Sequence, residues 1–449
     1  MSLDRAPTED EVVTSAAALV DAFRSAERPG AEQRVGLEHE KFLYPVEDPP
    51  APVPYEGPRG IGALLQLLEA RGYTPFRDAP DAPPIALTRD DHTLSLEPGG
   101  QFELSGTPAR TARAVHAENV AHARMLTEAA AQLGLLPVTL GYRPWGTVAD
   151  MPWMPKKRYQ MMRQTLPVRG KLALDMMLMT CTGQVSLDWA SEADCARKVT
   201  ATARLTPILV ALFANSPLVQ GQPSGWMSYR SHVWSDVDPM RCGYFPRMLD
   251  GTFDYRAYVE WAMQAPLLFI RRNGGYATPS LTFGQLLERG FEGQPARRSD
   301  WTDHLSTLFP EVRIKRVMEV RAADSVSLEM TAGLPALWRG LLYDDASLDA
   351  ALGLVPRLSF AEHLAFHEEA QRHGLRGKLR RTSLASMALE MIRLARAGLQ
   401  HLDPEDVPLL EPLEARARSG RSPAEDVLEA AKRESSPARL LARFALLPR

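Results

Sequence analysis

Cysteine is scarce in this sequence. The 449 residues include three cysteines, Cys181, Cys195 and Cys242, and no two of them form a CxxC pair. A small, odd and widely spaced set excludes the dense disulfide framework of small secreted proteins. The length and a hydrophobic share of 45% allow a large core to be buried without cross-links.

The sequence also lacks an excess of positive charge and long apolar runs. Its formal net charge is −3, so it presents no overall basic field that would attract nucleic acid. No uninterrupted apolar stretch approaches the ~20 residues of a membrane-spanning helix. The first residues, MSLDRAPTEDEVV, have no basic segment followed by an apolar one and are too acidic for an organelle transit peptide. We therefore expect a cytoplasmic protein with no nucleic-acid or membrane partner.

Three common catalytic motifs are missing. The chain has no GxxxxGK[ST] phosphate-binding loop and no GxGxxG between a strand and a helix. It has no GxSxG nucleophile elbow either. P-loop, Rossmann and α/β-hydrolase folds are therefore disfavoured.

The periodicity of the apolar residues predicts strands mixed with long helices. A capping box at Thr8-x-x-Glu11 predicts an N-terminal helix, and Ser191-x-x-Asp194 predicts another that continues to about residue 215. The remaining expected elements are a helix over 109–133, strands over 33–44, 93–105 with a break at 98–100, 180–189 and 314–324, and mostly helix beyond 333. This order favours an α+β fold. We expect a main domain over 1–403 and a helical tail over 404–449.

Two groups of acidic residues are the first candidates for a functional site. Glu38 and Glu40 fall on the same face of a strand, about 7 Å apart, and such a pair suits a hard cation such as Mg²⁺. Glu97 and Glu103 flank a Pro-Gly-Gly turn and could form a second half of the site. The alternatives are a solvated strand edge and an ordinary hairpin. His39 lies on the opposite face, where we expect a core histidine.

Two further strands carry polar residues in line. Thr182, Gln184, Ser186 and Asp188 share a face, which contacts either bulk water or a polar cavity. Glu319 and Arg321 also share a face. They form either a salt bridge, which contributes little if exposed, or a metal-binding acid beside an arginine suited to phosphate.

Five cations could hold a substrate carboxylate, although we expect at least two of them to be solvated: Lys156, Lys157, Arg158, Arg163 and Arg230. Taken together, these acids and cations are typical of an ATP-using site with several Mg²⁺ ions. They are not typical of hydride transfer or of a nucleophile.

The same segments resemble the plant and proteobacterial type of glutamate–cysteine ligase, in the family's order from about residue 33 to 400. The matching stretches are GLEHEKF, LSLEPGGQFELSGTP, MPKKRYQMMR, LALDMMLMTCTGQVSLDW, ALFANSPLVQGQPSGWMSYRSHVWSD, FPEVRIKRVMEVRAAD and ALWRGLLYDD. The tail beyond about 403 carries little family pattern.

The resemblance implies a fold and a reaction. The fold would be like glutamine synthetase, with an antiparallel sheet curled into a bowl and helices outside. ATP would phosphorylate the γ-carboxylate of glutamate, and the amine of cysteine would then displace the phosphate. Another amine acceptor, and a catalytically inactive relative, are the competing interpretations. We expect a monomer or a homodimer.

The resemblance also implies roles for individual residues. Arg321 and Glu319 would be catalytic, with Arg321 on the transferring phosphate. Arg158 and Arg230 would hold glutamate. The residues that would bind Mg²⁺ are Glu38, Glu40, Glu97, Glu103, Gln184 and Glu319. Because no cysteine follows Cys242, where most of the regulatory cysteines of plant members would lie, we expect no plant-type disulfide switch.

Overall fold

An antiparallel sheet of nine strands forms the centre of the structure, a computed structural model that describes residues 10–78, 80–272 and 275–447. Eight strands follow the order β14-β15-β7-β1-β5-β4-β3-β2, and β6 pairs with the far half of β1. The two ends of this order do not pair, so the sheet is open rather than a closed barrel. The strands of the sheet are β1 (Val35–Pro45), β2 (Thr74–Phe76), β3 (Ala86–Arg89), β4 (His92–Leu96), β5 (Phe102–Ser105), β6 (Leu135–Val138), β7 (Thr182–Leu187), β14 (Val312–Ile314) and β15 (Met318–Asp324).

Short strands form four small two-stranded ladders outside this sheet. They are β8 (Leu218–Val219) with β9 (Gln222–Pro223), β10 (Cys242–Gly243) with β13 (Phe309–Pro310), β11 (Ile270–Arg272) with β12 (Gly275–Ala277), and β16 (Lys378–Leu379) with β17 (Thr382–Ser383). The β10–β13 ladder is parallel.

Helices account for most of the rest of the chain. The α-helices are α1 (Ala16–Arg24), α2 (Ile61–Glu69), α3 (Ala112–Gln132), α4 (Lys157–Thr165), α5 (Ala173–Met179), α6 (Glu192–Phe213), α7 (Tyr229–Trp234), α8 (Arg247–Asp250), α9 (Tyr255–Gln264), α10 (Phe283–Arg289), α11 (Arg298–Ser306), α12 (Leu328–Leu342), α13 (Asp345–Leu354), α14 (Phe360–His373), α15 (Leu384–Leu402), α16 (Glu411–Ser419), α17 (Pro423–Arg433) and α18 (Pro437–Arg443). Short 3₁₀ helices cover Gly30–Glu32, Val148–Asp150, Leu166–Val168, Gly374–Arg376 and Pro404–Leu410.

The expected elements match these bounds closely, with differences at the N-terminus and over 314–324. The second region is not one strand: β14 ends at Ile314, a turn covers 315–317, and β15 starts at Met318. The side chain of Ser15 caps α1, so this helix begins at Ala16. Thr8, the first residue of the expected capping box, lies outside the described residues. The Ser191 hydroxyl accepts a hydrogen bond from the main-chain N–H of Asp194, as expected for the N-cap of α6.

Each central strand has one apolar and one polar face. In β1, Val35 and Leu37 point to the buried helix layer, where α3, α6 and α12 cover the sheet. His39 is on this side too and is fully buried, with Nδ1 3.4 Å from Oδ1 of Asn119, so the expectation of a core histidine is confirmed. Glu38 and Glu40 therefore point to the opposite, concave side of the sheet.

The tail packs onto the main body of the fold. Asp406 is fully buried and accepts hydrogen bonds from the main-chain N–H groups of Ala112 and Arg113, at the start of α3. Arg339 of α12 donates to the same carboxylate at 3.1 Å. These contacts cap the start of α3 and join the tail to the helix layer.

Among the described residues, no helix is both long and apolar enough to cross a membrane.

Candidate active site

A deep cavity lies on the polar side of the sheet. Side chains of β1, β5, β7, β14 and β15 line its floor, and α4, α5 and α7 supply its walls. The predicted site residues that line it are Glu38, Glu40, Glu97, Glu103, Arg158, Gln184, Arg230 and Arg321. The sequence therefore identified most of the polar residues of one cavity from six separate segments.

Strand register explains how these residues meet. Glu38 lies opposite Gln184 in the pairing of β1 with β7. Glu40 lies opposite Glu103 in the pairing of β1 with β5. Directly opposed residues on neighbouring strands lie on the same face of the sheet. The polar faces assigned to the single strands therefore all lie on one side of the sheet. This arrangement also answers the open question about β7: Thr182 and Gln184 contact the polar cavity.

Three carboxylates crowd one end of the cavity. Burial, followed by the charges of Glu97 and Glu103, raises the pKa of Glu40 well above its usual value. Burial and the charge of Glu103 raise the pKa of Glu97 to about 7. Each ionised carboxylate makes ionisation of its neighbours less favourable. A cation bound between them would offset this electrostatic repulsion.

Main-chain and hydroxyl groups fix the directions of these acids. The N–H of Thr182 donates to Oε2 of Glu40 over 2.8 Å. The hydroxyls of Ser95 and Ser105 both donate to Oε1 of Glu103, at 3.1 and 2.7 Å. Glu97 precedes a tight turn in which Gly100 has a φ of +87°, a conformation that favours glycine.

Glu319 lies in a cluster of cations at the other end. Its Oε2 is 2.5 Å from Nη2 of Arg313 and its Oε1 is 2.6 Å from Nζ of Lys315. Nη1 of Arg321 is 3.4 Å from Oε2. Burial opposes ionisation, but the charges of these three cations outweigh it and hold the pKa of Glu319 well below its usual value.

Sequence reasoning missed Arg313 and Lys315. Both line the cavity. Arg313 of β14 lies opposite Glu319 of β15, and Lys315, just after the end of β14, reaches the same carboxylate. The signal was present in RIKRVMEVR, where two cations precede the acidic strand at a spacing of two residues. Recognising the hairpin would have placed them opposite Glu319.

A β-bulge in β15 positions Arg321 and Arg230. The pairing with β7 shifts between Val320 and Ala323, which places an extra residue in β15 at this point. Nη1 of Arg321 donates to Oε1 of Gln184 over 2.6 Å. The side chain of Arg230 reaches from α7 to the carbonyl oxygens of Arg321 and Ala322, at 2.9 and 3.3 Å.

The five predicted cations separate into two groups. Arg158 and Arg230 line the cavity, and buried Lys156 donates to the carbonyl of Leu96 beneath it. Lys157 and Arg163 are exposed. The expectation that at least two of the five are solvated is therefore confirmed.

The donor chemistry of the cavity fits Mg²⁺, with one restriction. Hard cations take carboxylate oxygens, and Mg²⁺ in phosphoryl-transfer sites is held by one or two carboxylates together with phosphates. No group of three or more His, Cys, Asp or Glu close enough to hold a metal occurs in the described part of the chain. Glu38, Glu40, Glu97 and Glu103 fit such a shared arrangement. Glu319 and Gln184 have cations as their partners here, so their place among the metal ligands stays a prediction.

The three cysteines lie in different parts of the core. Cys195 packs in the largest apolar cluster, Cys181 in a small cluster beside the tail, and Cys242 against a third. All three are free thiols.

Comparison with known proteins decides the family. A family model described as glutamate–cysteine ligase family 2 matches residues 34–442. The chain belongs to this family. The chloroplast glutamate–cysteine ligases of Brassica juncea and Arabidopsis thaliana are each 38% identical to it, over 94% of this chain and 83% and 82% of their own lengths. The resemblance read from the sequence is thus confirmed, and the match continues through most of the tail.

A solved structure confirms the fold. The crystal structure of glutamate–cysteine ligase from Francisella tularensis in complex with AMP superimposes with a TM-score of 0.57 at 12% identity, over 92% of this chain and 87% of that one. The expected α+β, glutamine-synthetase-like fold of this ligase family is therefore correct.

The expected cytoplasmic location is wrong. The similar curated glutamate–cysteine ligases are named as chloroplast enzymes, which contradicts it. The acidic start of the sequence, on which the expectation rested, was not a sufficient guide.

Proposed function

We propose that this family member joins the γ-carboxylate of glutamate to the amine of cysteine. The reaction consumes ATP and yields γ-glutamylcysteine, ADP and phosphate, the first step of glutathione biosynthesis. The observation that carries the proposal is a single cavity with buried carboxylates at one end and converging arginines at the other. Membership of glutamate–cysteine ligase family 2 supports the choice of substrates.

The reaction has two bond-forming steps. A γ-carboxylate oxygen of glutamate attacks the terminal phosphorus of ATP, and ADP leaves. The amine nitrogen of cysteine then attacks the carbonyl carbon of this acyl phosphate, and phosphate leaves while the nitrogen loses its proton. Positioning and charge neutralisation contribute most of the catalysis in phosphoryl transfer.

The cationic end of the cavity suits the transferring phosphate. Arg313, Lys315 and Arg321 all contact the carboxylate of Glu319, and the charge of Glu38 also acts on Lys315 and Arg321. Three cations thus face two carboxylates, which leaves an excess of positive charge. Glu319 holds the three cations in fixed positions, and Arg321 binds phosphate oxygens through its planar guanidinium.

The acidic end suits the metal. Glu40, Glu97 and Glu103 at this end, together with Glu38, whose charge also acts on Lys315 and Arg321, would hold Mg²⁺. When bound, this ion neutralises phosphate charge and orients the polyphosphate. Arg158 and Arg230 bind the carboxylates of glutamate from the helical walls. Trp234 and Phe309 beside Arg321 limit the access of water to this region.

The deciding experiment is phosphate release from ATP and glutamate with a panel of amine acceptors. Cysteine should give the fastest release, and mass spectrometry should identify γ-glutamylcysteine. Arg321→Ala should abolish release, whereas Arg316→Ala, an exposed arginine in the same hairpin, should not. Equal release with an unrelated amine, or none with cysteine, would reject the proposed acceptor.

A further inference from the structure

Glu311 is an acidic residue at the edge of the cavity for which the proposed reaction has no role so far. It precedes β14 and has the same parity as Arg313 and Lys315, so it lies on the cavity side of the sheet. Its carbonyl oxygen accepts a hydrogen bond from the N–H of Arg321 over 3.3 Å. The two residues therefore stand opposite one another on neighbouring strands.

The side chain of Glu311 lines a small recess beside the main cavity. Both spaces are lined by Arg230, Trp234, Phe309 and Arg321, so the recess adjoins the proposed glutamate and phosphate sites. The side chain of Glu311 is only 14% exposed. The recess thus combines one carboxylate with two guanidinium groups and two aromatic side chains.

Within the part of the chain that the structure describes, the carboxylate of Glu311 has no cationic partner in direct contact. Among the described residues, one basic nitrogen lies within 4 Å of it, Nε2 of His367 at 3.9 Å. Burial lowers the pKa of His367 to about 4, so this imidazole is neutral near pH 7. Its two nitrogens already contact the hydroxyls of Ser231 and Tyr244, at 3.1 and 2.7 Å.

The carboxylate of Glu311 is partly buried and lies beside two guanidinium groups. Burial raises the pKa of Glu311, although Arg230 and Arg321 lower it. The partly buried carboxylate lines the recess and can accept a charge-assisted hydrogen bond from a cationic group of a bound ligand. The rings of Trp234 and Phe309 already hold the guanidinium of Arg321, 5.6 and 5.8 Å from their centroids, so this cation is fixed beside the recess.

We propose that Glu311 binds the α-ammonium group of an amino-acid substrate while a neighbouring arginine binds its α-carboxylate. The inference rests on the proposed ligase reaction, in which both glutamate and cysteine carry such a group. An α-amino acid has a positive ammonium group and a negative carboxylate a few bonds apart. The recess offers the complementary groups, the carboxylate of Glu311 and the guanidinium of a neighbouring arginine.

The test compares each substrate with its analogue that lacks the amino group, in the wild type and in Glu311→Gln. The pairs are glutamate with glutarate and cysteine with mercaptopropionate, measured as KM and as inhibition constants. The wild type should prefer the amino acid, and the substitution should reduce that preference about tenfold for one pair, since a charge-assisted hydrogen bond is lost. The KM for ATP should change little.

Two further variants make the result decisive. Glu368→Gln is the matched control, because Glu368 follows His367 and its side chain is 55% exposed, so both preferences should stay at wild-type values. If Glu311→Gln does not fold, Glu311→Asp keeps the charge at a shorter reach and should retain part of the preference. Unchanged preferences for both pairs in a folded Glu311 variant would overturn the proposal. Failure of the ligase function itself would appear separately, as a wild type without cysteine-dependent phosphate release.

Discussion

Nη2 of Arg230 donates a hydrogen bond to the main-chain carbonyl oxygen of Arg321 over 2.9 Å. This bond links a helical wall of the cavity to the bulge in its floor. Two cations are thereby held side by side, although α7 and β15 are far apart in the sequence. Their separate assignments, glutamate for Arg230 and phosphate for Arg321, can be tested one at a time.

Arg230→Ala should raise the KM for glutamate about tenfold to a hundredfold, because a charge-assisted hydrogen bond contributes roughly 1.5–3 kcal/mol. The KM for ATP should change much less. Arg230→Lys should recover only part of the loss, since lysine restores the charge without the planar fork. Steady-state kinetics with each substrate varied in turn measures both effects.

The exposed Arg163 provides the control, because Arg163→Ala should leave both KM values unchanged. A loss of ATP affinity with normal glutamate affinity in Arg230→Ala would show that the two substrates had been assigned to the wrong arginines.

Glu38→Ala should abolish ATP-dependent ligation while the protein stays folded. Glu38 faces the cavity and contributes little apolar burial, whereas loss of a metal ligand should raise the barrier by several kcal/mol. Phosphate release across a Mg²⁺ titration measures the loss of ligation. A thermal unfolding curve shows whether the variant stays folded. Removal of Mg²⁺ by a chelator should stop the wild type in the same way.

The matched control is Glu32→Ala, an exposed glutamate just before β1. Near-normal turnover of Glu38→Ala at saturating Mg²⁺ would remove Glu38 from the metal site.

Glu319→Gln should lower stability as well as activity. The substitution leaves Arg313, Lys315 and Arg321 without their shared anion, and breaking a buried ion pair costs about 3–5 kcal/mol. Because the folded-state pKa of Glu319 is depressed, its contribution is complete above the unfolded value of 4.5. It is lost as the pH falls from there towards the folded pKa.

Urea unfolding at several pH values measures this effect. The free-energy difference between wild type and Glu319→Gln should be constant near neutral pH and shrink under acid. A difference that grows on acidification would contradict the assigned ion pairs.

Reducing agents should leave activity nearly unchanged. The three cysteines are free and belong to different apolar clusters, so none is placed to pair with another. Turnover with and without dithiothreitol, with mass spectrometry of the oxidised protein, tests this. A several-fold change traced to an intramolecular disulfide would disprove it.

Asp406→Ala should destabilise the whole protein by about 3 kcal/mol. It removes the acceptor of two N–H groups at the start of α3 and leaves buried Arg339 without its carboxylate. Glu405→Ala is the control, because the Glu405 side chain is 76% exposed. One cooperative urea transition, shifted in Asp406→Ala, would show that the tail over 404–449 unfolds with the main body. Two separate transitions would support the division at residue 403.

The sequence by itself determined on which face of its strand each polar side chain lies. Side chains alternate strictly along a strand, so Glu38, Glu40, Glu103 and Gln184 could be assigned to polar faces without any structure. The turn at 98–100 and the cap of α6 were equally local, because they depend on glycine, proline and serine at fixed offsets.

Only the tertiary structure decided which partner each polar residue has. Glu319 contacts Arg313 and Lys315 because β14 and β15 form a hairpin in one register, and a shift of that register by one residue would turn the cations away. Arg230 reaches the bulge of β15 from the distant helix α7, and Glu311 reaches it across the β14–β15 hairpin. The physical reason is that facing direction is fixed by the geometry of a single strand, whereas electrostatic pairing depends on distances between strands and helices that only the folded chain brings together.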